Sequence, residues 1–204
     1  MIRKLRNVFI FVVLIVALPV GVRAGSAGGV PEPWIPVSVQ KSADGTEVGV
    51  WGRTYGFSSA ALPVSIKAGG KELLAAPMRL TGEADGQPIA WRTGGHLVLG
   101  ADDAQATVSG WQSCDEVSVD ASTRIEFDGM VRIGLTVVPQ SKKSPKLQRL
   151  WLEIPLKREG TRLYHYYPGT WGSAANSGAI PEAGFVLPFK PFVWCGSEER
   201  GLGW

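Results

Sequence analysis

The sequence predicts an all-β fold, an antiparallel β-sandwich, on three observations. Apolar and polar residues alternate at period two along most of the chain. Turn-forming clusters fall between the alternating runs: Ala43-Asp44-Gly45, Gly69-Gly70, Ala84-Asp85-Gly86, Asp128-Gly129 and Glu159-Gly160. Beyond the first residues, no stretch long enough for three helical turns carries a helical apolar stripe. Many short strands with close turns are the pattern of packed antiparallel sheets.

The strands follow in order. Val48 and Val50 alternate with Glu47, Gly49 and Trp51. Leu62, Val64 and Ile66 alternate with Pro63, Ser65 and Lys67. Ile125 and Phe127 alternate with Arg124 and Glu126, and Thr123 extends their buried face. Val131, Ile133, Leu135 and Val137 form the buried face of the next strand. Leu150, Leu152, Ile154 and Leu156 alternate with Trp151, Glu153 and Pro155. One hairpin can be given a register. Facing partners must share a side of the sheet. A two-residue Asp128-Gly129 turn would set Ile125 against Arg132. A three-residue loop, 128 to 130, pairs Phe127 with Val131 and Ile125 with Ile133. It also places Glu126 opposite Arg132, an exposed pair worth about 0.2–1 kcal/mol.

The chain divides into three parts. Residues 1–24 read as a secretory signal peptide. Arg3, Lys4 and Arg6 precede an apolar run from Val8 to Val20, and Val22-Arg23-Ala24 fits a cleavage site. The run is shorter than the ~20 residues a spanning helix needs, and Pro19 and Gly21 interrupt it. The expected location is exported, periplasmic or extracellular, with membrane contact only through an uncleaved leader. Residues 25–36 form a Gly- and Pro-rich flexible lead-in, and residues 37–204 the β-sandwich domain. The last residues, Pro191 to Trp204, read as a strand, a turn and a short return arm ending on an exposed-type aromatic. This predicts an amino-terminal piece of a longer, multidomain protein, truncated at its carboxyl end.

Charge gives no support to nucleic-acid binding. Of 21 basic residues, four (Arg3, Lys4, Arg6, Arg23) lie in the leader, which has no acidic residue. The remainder carries 17 basic against 18 acidic side chains, a net −1. Lys142, Lys143 and Lys146 lie in a Ser- and Pro-containing segment and read as a solvated loop. Cys114 and Cys195 are the two cysteines. They form one disulfide in the exported protein or stay as two buried thiols, and both readings remain open. With His96 and His165 they show no metal-ligand spacing, so neither a metal nor another cofactor is expected.

Catalytic patterns are absent: no nucleophile elbow, no zinc-protease helix motif and no phosphate-binding loop. Asp115-Glu116 and Glu198-Glu199 are adjacent acids. Neighbours on a strand point to opposite faces, so they read as solvated turns, and no catalytic residue is assigned. The aromatic group Tyr164, His165, Tyr166, Tyr167 and Trp171 leads into an irregular stretch, Pro168 to Pro188. Long loops of this kind are often functional. Amphipathic rings suit sugar faces, so Tyr166, Tyr167 and Trp171 are the candidate carbohydrate-binding residues. The alternative is that Tyr164 and Tyr166 fill the core.

Several motifs together carry a resemblance. They are Val50-Trp51-Gly52-Arg53-Thr54-Tyr55, Leu73-Leu74-Ala75-Ala76-Pro77, Trp151-Leu152-Glu153-Ile154-Pro155-Leu156, Leu163 through Gly172, Leu187 through Trp194, and Glu198-Glu199-Arg200-Gly201-Leu202-Gly203-Trp204. From about residue 34 to 204 the chain resembles the amino-terminal β-sandwich of large exported bacterial proteins similar to glycoside hydrolase family 123, the β-N-acetylgalactosaminidase-like group and its uncharacterised relatives. The resemblance implies a parent with this sandwich, then a (β/α)-barrel, then often a further β-domain. In the hexosaminidase members an adjacent Asp-Glu pair on the barrel performs substrate-assisted hydrolysis. No residue here matches that motif. Three roles follow: a non-catalytic fragment supporting a downstream catalytic barrel, a free-standing carbohydrate-binding module, or an envelope interaction domain.

Overall fold

The computed structural model describes residues 29–140, 147–170 and 173–204. The leader, the Lys142–Lys146 segment and Trp171 therefore lie outside the described residues.

The first sheet is a meander of β1 (Ser38–Ser42), β2 (Gly45–Val50), β3 (Arg53–Phe57), β4 (Ser65–Ala68) and β5 (Lys71–Glu72). Alternation sends Val48 and Val50 inward from β2, and Tyr55 and Phe57 inward from β3. Next come β6 (Arg79–Ala84) and its short partner β7 (Gln87–Pro88). The second sheet holds β8 (Arg92–Ala101), β9 (Gln105–Ser113), β10 (Val117–Glu126) and β11 (Val131–Pro139), in the order β11-β10-β9-β8. Strand β12 (Leu147–Glu153) returns to pair with β6, completing a third sheet. The fourth contains β13 (Leu163–Tyr167), β14 (Ser177–Ala179), β15 (Phe192–Gly196) and β16 (Gly201–Gly203), ordered β14-β13-β15-β16. Among the described residues every strand pairing is antiparallel, and helix is confined to two three-residue 3-10 turns.

All-β and antiparallel thus hold. The two-layer sandwich does not: the strands sort into four sheets round a shared centre, closer to propeller blades than to a clear sandwich. Val48, Val50, Tyr55 and Phe57 of the first sheet meet Ala106, Val108, Val119, Ala121 and Ile125 of the second. Leu80 and Leu152 join from the third sheet, and Leu202 from the fourth. Period two reports that one face of each strand is buried; it does not report how many sheets share the buried side.

The β10–β11 hairpin corrects the expected register. Ile125 pairs with Val131 and Thr123 with Ile133, two residues away from the predicted alignment. The loop is odd, as face matching demands, but it spans Glu126 to Met130. Arg132 therefore faces Arg124, and Glu126 pairs with Arg124 rather than with Arg132. Tertiary contacts hold the longer loop. Arg53 donates to the Asp128 carbonyl at 2.8 Å, and the Tyr55 hydroxyl donates to the Gly129 carbonyl at 2.9 Å. Phe127 leaves the ladder and meets Trp34 edge-on, with centroids 5.8 Å apart. Leu135 and Val137 share the inner face of β11 but are 38% and 44% exposed, because this edge strand outruns its cover. Strand β4 begins at Ser65, so Leu62 is buried in a turn rather than a strand.

Candidate functional site

The aromatic strand β13 occupies an inner position of the fourth sheet, between β14 and β15. Alternation divides its rings between two faces. Tyr164 and Tyr166 lie on one, stacked at 6.2 Å with an interplanar angle of 6°. Phe185 closes on Tyr164 at 4.7 Å. The Tyr164 hydroxyl donates to the Ala175 carbonyl at 3.2 Å. Lys190 places its ammonium 4.7 Å from the Tyr166 ring centre and donates to the Pro168 carbonyl at 2.8 Å. The other face carries His165, whose Nδ1 is 2.7 Å from the Ser177 hydroxyl and whose ring is 6.1 Å from Phe192. Tyr167 follows on this side, 58% exposed.

Tyr166 and Tyr167 consequently point away from each other and do not form one platform, and Trp171 lies outside the described residues. Tyr164 and Tyr166 are half-buried among their own neighbours and stand outside the main core. The stretch after β13 is organised by Asn176, which accepts from the Thr170 N–H at 3.2 Å and donates to the Thr170 carbonyl at 2.8 Å. Beyond it, Val186 and Phe189 are 96% and 92% exposed.

The adjacent acids sit in turns, and Asp115, Glu198 and Glu199 are each tied to a base. Asp115 accepts from Arg92 at 2.9 Å. Glu198 accepts from Arg162 at 2.7 Å, and Glu199 from Arg200 at 2.9 Å. A backbone hydrogen bond and the Arg162 charge hold the Glu198 carboxyl below its ordinary range. Cys114 and Cys195 are buried free thiols, and burial pushes both above the usual thiol value. Among the described residues, no three His, Cys, Asp or Glu side chains gather as a metal site. His96 lies in β8 and ties it to the first sheet. The Ser58 carbonyl only accepts, so Nδ1 donates to it at 2.8 Å, and Nε2 lies 2.9 Å from the Thr46 hydroxyl.

Four antiparallel sheets with an aromatic strand and ion-paired acids define an all-β domain whose exposed features are rings and loops. The chain belongs to the glycoside hydrolase 123 family: the model described as "Glycoside hydrolase 123, third domain" matches residues 42–203. The description ranks the stretch third, whereas the motif resemblance by itself sets it at the amino-terminal end. No curated protein gives a significant match to the chain.

Proposed function

We propose that the chain is a non-catalytic β-domain of an exported glycoside-hydrolase-like protein, which supports a catalytic barrel and contributes to carbohydrate contact. The observation that carries this reading is the apolar segment after the aromatic strand, with Val186 and Phe189 almost wholly exposed. Covering one such side chain is worth roughly 1.5–3 kcal/mol, and large exposed apolar groups mark surfaces that meet a partner. Membership of a glycoside hydrolase family supports taking a catalytic domain as the kind of partner. Export to the periplasm or beyond rests on the leader-like residues 1–24. Tyr167, the more open of the two described candidate rings, is the sugar contact on this sheet.

Amide hydrogen exchange on the full chain, with and without a glycoside hydrolase 123 catalytic domain added, tests the docking. Protection of Phe185, Val186, Leu187 and Phe189 should rise at least tenfold with the catalytic domain. Val186→Ser with Phe189→Ser should abolish the rise. Unchanged exchange at these amides overturns the reading.

A further inference from the structure

The outer face of the second sheet offers a different surface. Its rows are set by register. Trp111 on β9 lies directly opposite Asp120 on β10, and Asp120 opposite Thr136 on β11. The next row holds Leu97, Ser109, Ser122 and Gly134. One indole therefore stands among short hydroxyl side chains beside one carboxylate.

The ring is mounted in a particular way. Strand β8 loses register between Thr93 and His96, so Gly94 and Gly95 bulge opposite Trp111. Gly95 has φ +85°, a conformation that favours glycine. A Cβ at Gly94 would fall 1.9 Å from Trp111 Cε2, and 2.3 and 2.4 Å from Cζ2 and Cδ2 on either side of it. Near-equal distances to the flanking atoms place Gly94 over the ring plane rather than at its edge. The indole lies flat on the bulge, and its opposite face is open: the side chain is 48% exposed. Tyr166 contrasts with it, since Tyr164 and Lys190 already engage that ring.

Asp120 is exposed and makes no hydrogen bond or ion pair among the described residues. Trp111, Asp120, Ser109 and Leu97 line a groove of about 320 Å³, at the small end of the roughly 300–1,000 Å³ of small-molecule sites. A flat apolar face, an exposed carboxylate acceptor and hydroxyls at cross-strand distance match one ligand chemistry. A pyranose presents a C–H face for the ring and hydroxyl donors for the carboxylate at its edge.

We infer that this face is a saccharide-binding surface, with Trp111 as the stacking platform and Asp120 as the hydroxyl acceptor. The inference rests on the carbohydrate part of the proposed function and adds to Tyr167 a separate site on the second sheet; it is independent of docking by Val186 and Phe189.

The test titrates methyl glucoside, galactoside and mannoside, N-acetylglucosamine and N-acetylgalactosamine into the full chain, followed by the Trp111 indole N–H resonance and by calorimetry. At least one pyranose should shift that resonance saturably. Asp120→Asn, which preserves shape, should weaken binding at least tenfold. Trp111→Ala should abolish it, and Trp111→Phe, which keeps Gly94 covered, should weaken it less than Trp111→Ala. Unaltered affinity in Asp120→Asn, or no pyranose that moves the Trp111 resonance, overturns the inference. Binding lost in Tyr167→Ala but kept in Trp111→Ala and Asp120→Asn overturns it in favour of the fourth sheet. None of these outcomes touches the exchange test of docking.

Discussion

Glu72 shows how one carboxylate organises its surroundings. It accepts from the Ser65 hydroxyl, and from the Ile66 and Leu74 N–H groups at 2.9 Å each. Partial burial raises its pKa, but the Ser65 hydroxyl and the two N–H donors outweigh that, so the group sits below its ordinary 4.5. A carboxyl whose folded pKa is depressed adds stability above its unfolded pKa. That contribution is lost as pH falls through the folded value. Stability of the wild-type chain should therefore decline from about pH 4.5 downward in part through this group. Glu72→Gln should lower stability at neutral pH and flatten the acid limb, measured by urea titrations from pH 7 to pH 3. An acid limb unchanged in slope would assign the decline to other carboxylates. The sequence singles out none of this, because Glu72 meets its donor partners Ser65 and Ile66 only through the β4–β5 turn.

At the scale of elements, the β10–β11 hairpin separates local from distant causes. Binary pattern limited the loop to an odd length, since an even one would turn a buried face toward solvent. It did not choose between three residues and five. Arg53 and Tyr55, over 70 positions earlier, hold the Asp128 and Gly129 carbonyls. Removing the Tyr55 hydroxyl should cost about 0.5–1.5 kcal/mol, the usual net worth of a hydrogen bond. Tyr55→Phe should also speed amide exchange at Gly129 and Met130 ahead of the ladder residues Thr123 and Ile125. Uniform acceleration along both strands would mean that the hydroxyl supports the core rather than the loop. Strand β13 gives the converse case. Its period two was legible, and so was the division of Tyr166 from Tyr167 that follows from it, yet the sequence reading grouped them because they are adjacent. The Trp111–Asp120 pair escaped notice for the opposite reason. Its members lie on neighbouring strands, and only the pairing of Trp111 with Asp120 brings them together.

For the whole molecule, the shared core makes cooperativity the expected behaviour. Phe57 from the first sheet and Ile125 from the second are both essentially inaccessible, and Leu152 and Leu202 bring the third and fourth sheets to the same cluster. Phe57→Ala should cost about 3–5 kcal/mol, a large share of the ~5–15 kcal/mol typical of a domain. Because the sheets unfold together, circular dichroism and tryptophan fluorescence should shift to the same lower midpoint. Trp194 on β15 reports the fourth sheet within that signal. A separate transition for the fourth sheet would show that Leu202 does not couple it to the core.

Taken alone, the sequence determined that this is an antiparallel all-β protein, which face of β2 and β10 is buried, and its likeness to glycoside hydrolase 123. These follow from alternation and from motifs contiguous in the chain, both of which are local properties. Tertiary structure alone decided that the strands form four sheets, that the hairpin loop has five residues, and that Trp111 rests on Gly94 beside Asp120. Each of these depends on contacts between residues far apart in sequence. A period of two says that a side chain turns inward or outward, and is silent on which distant side chain it meets there.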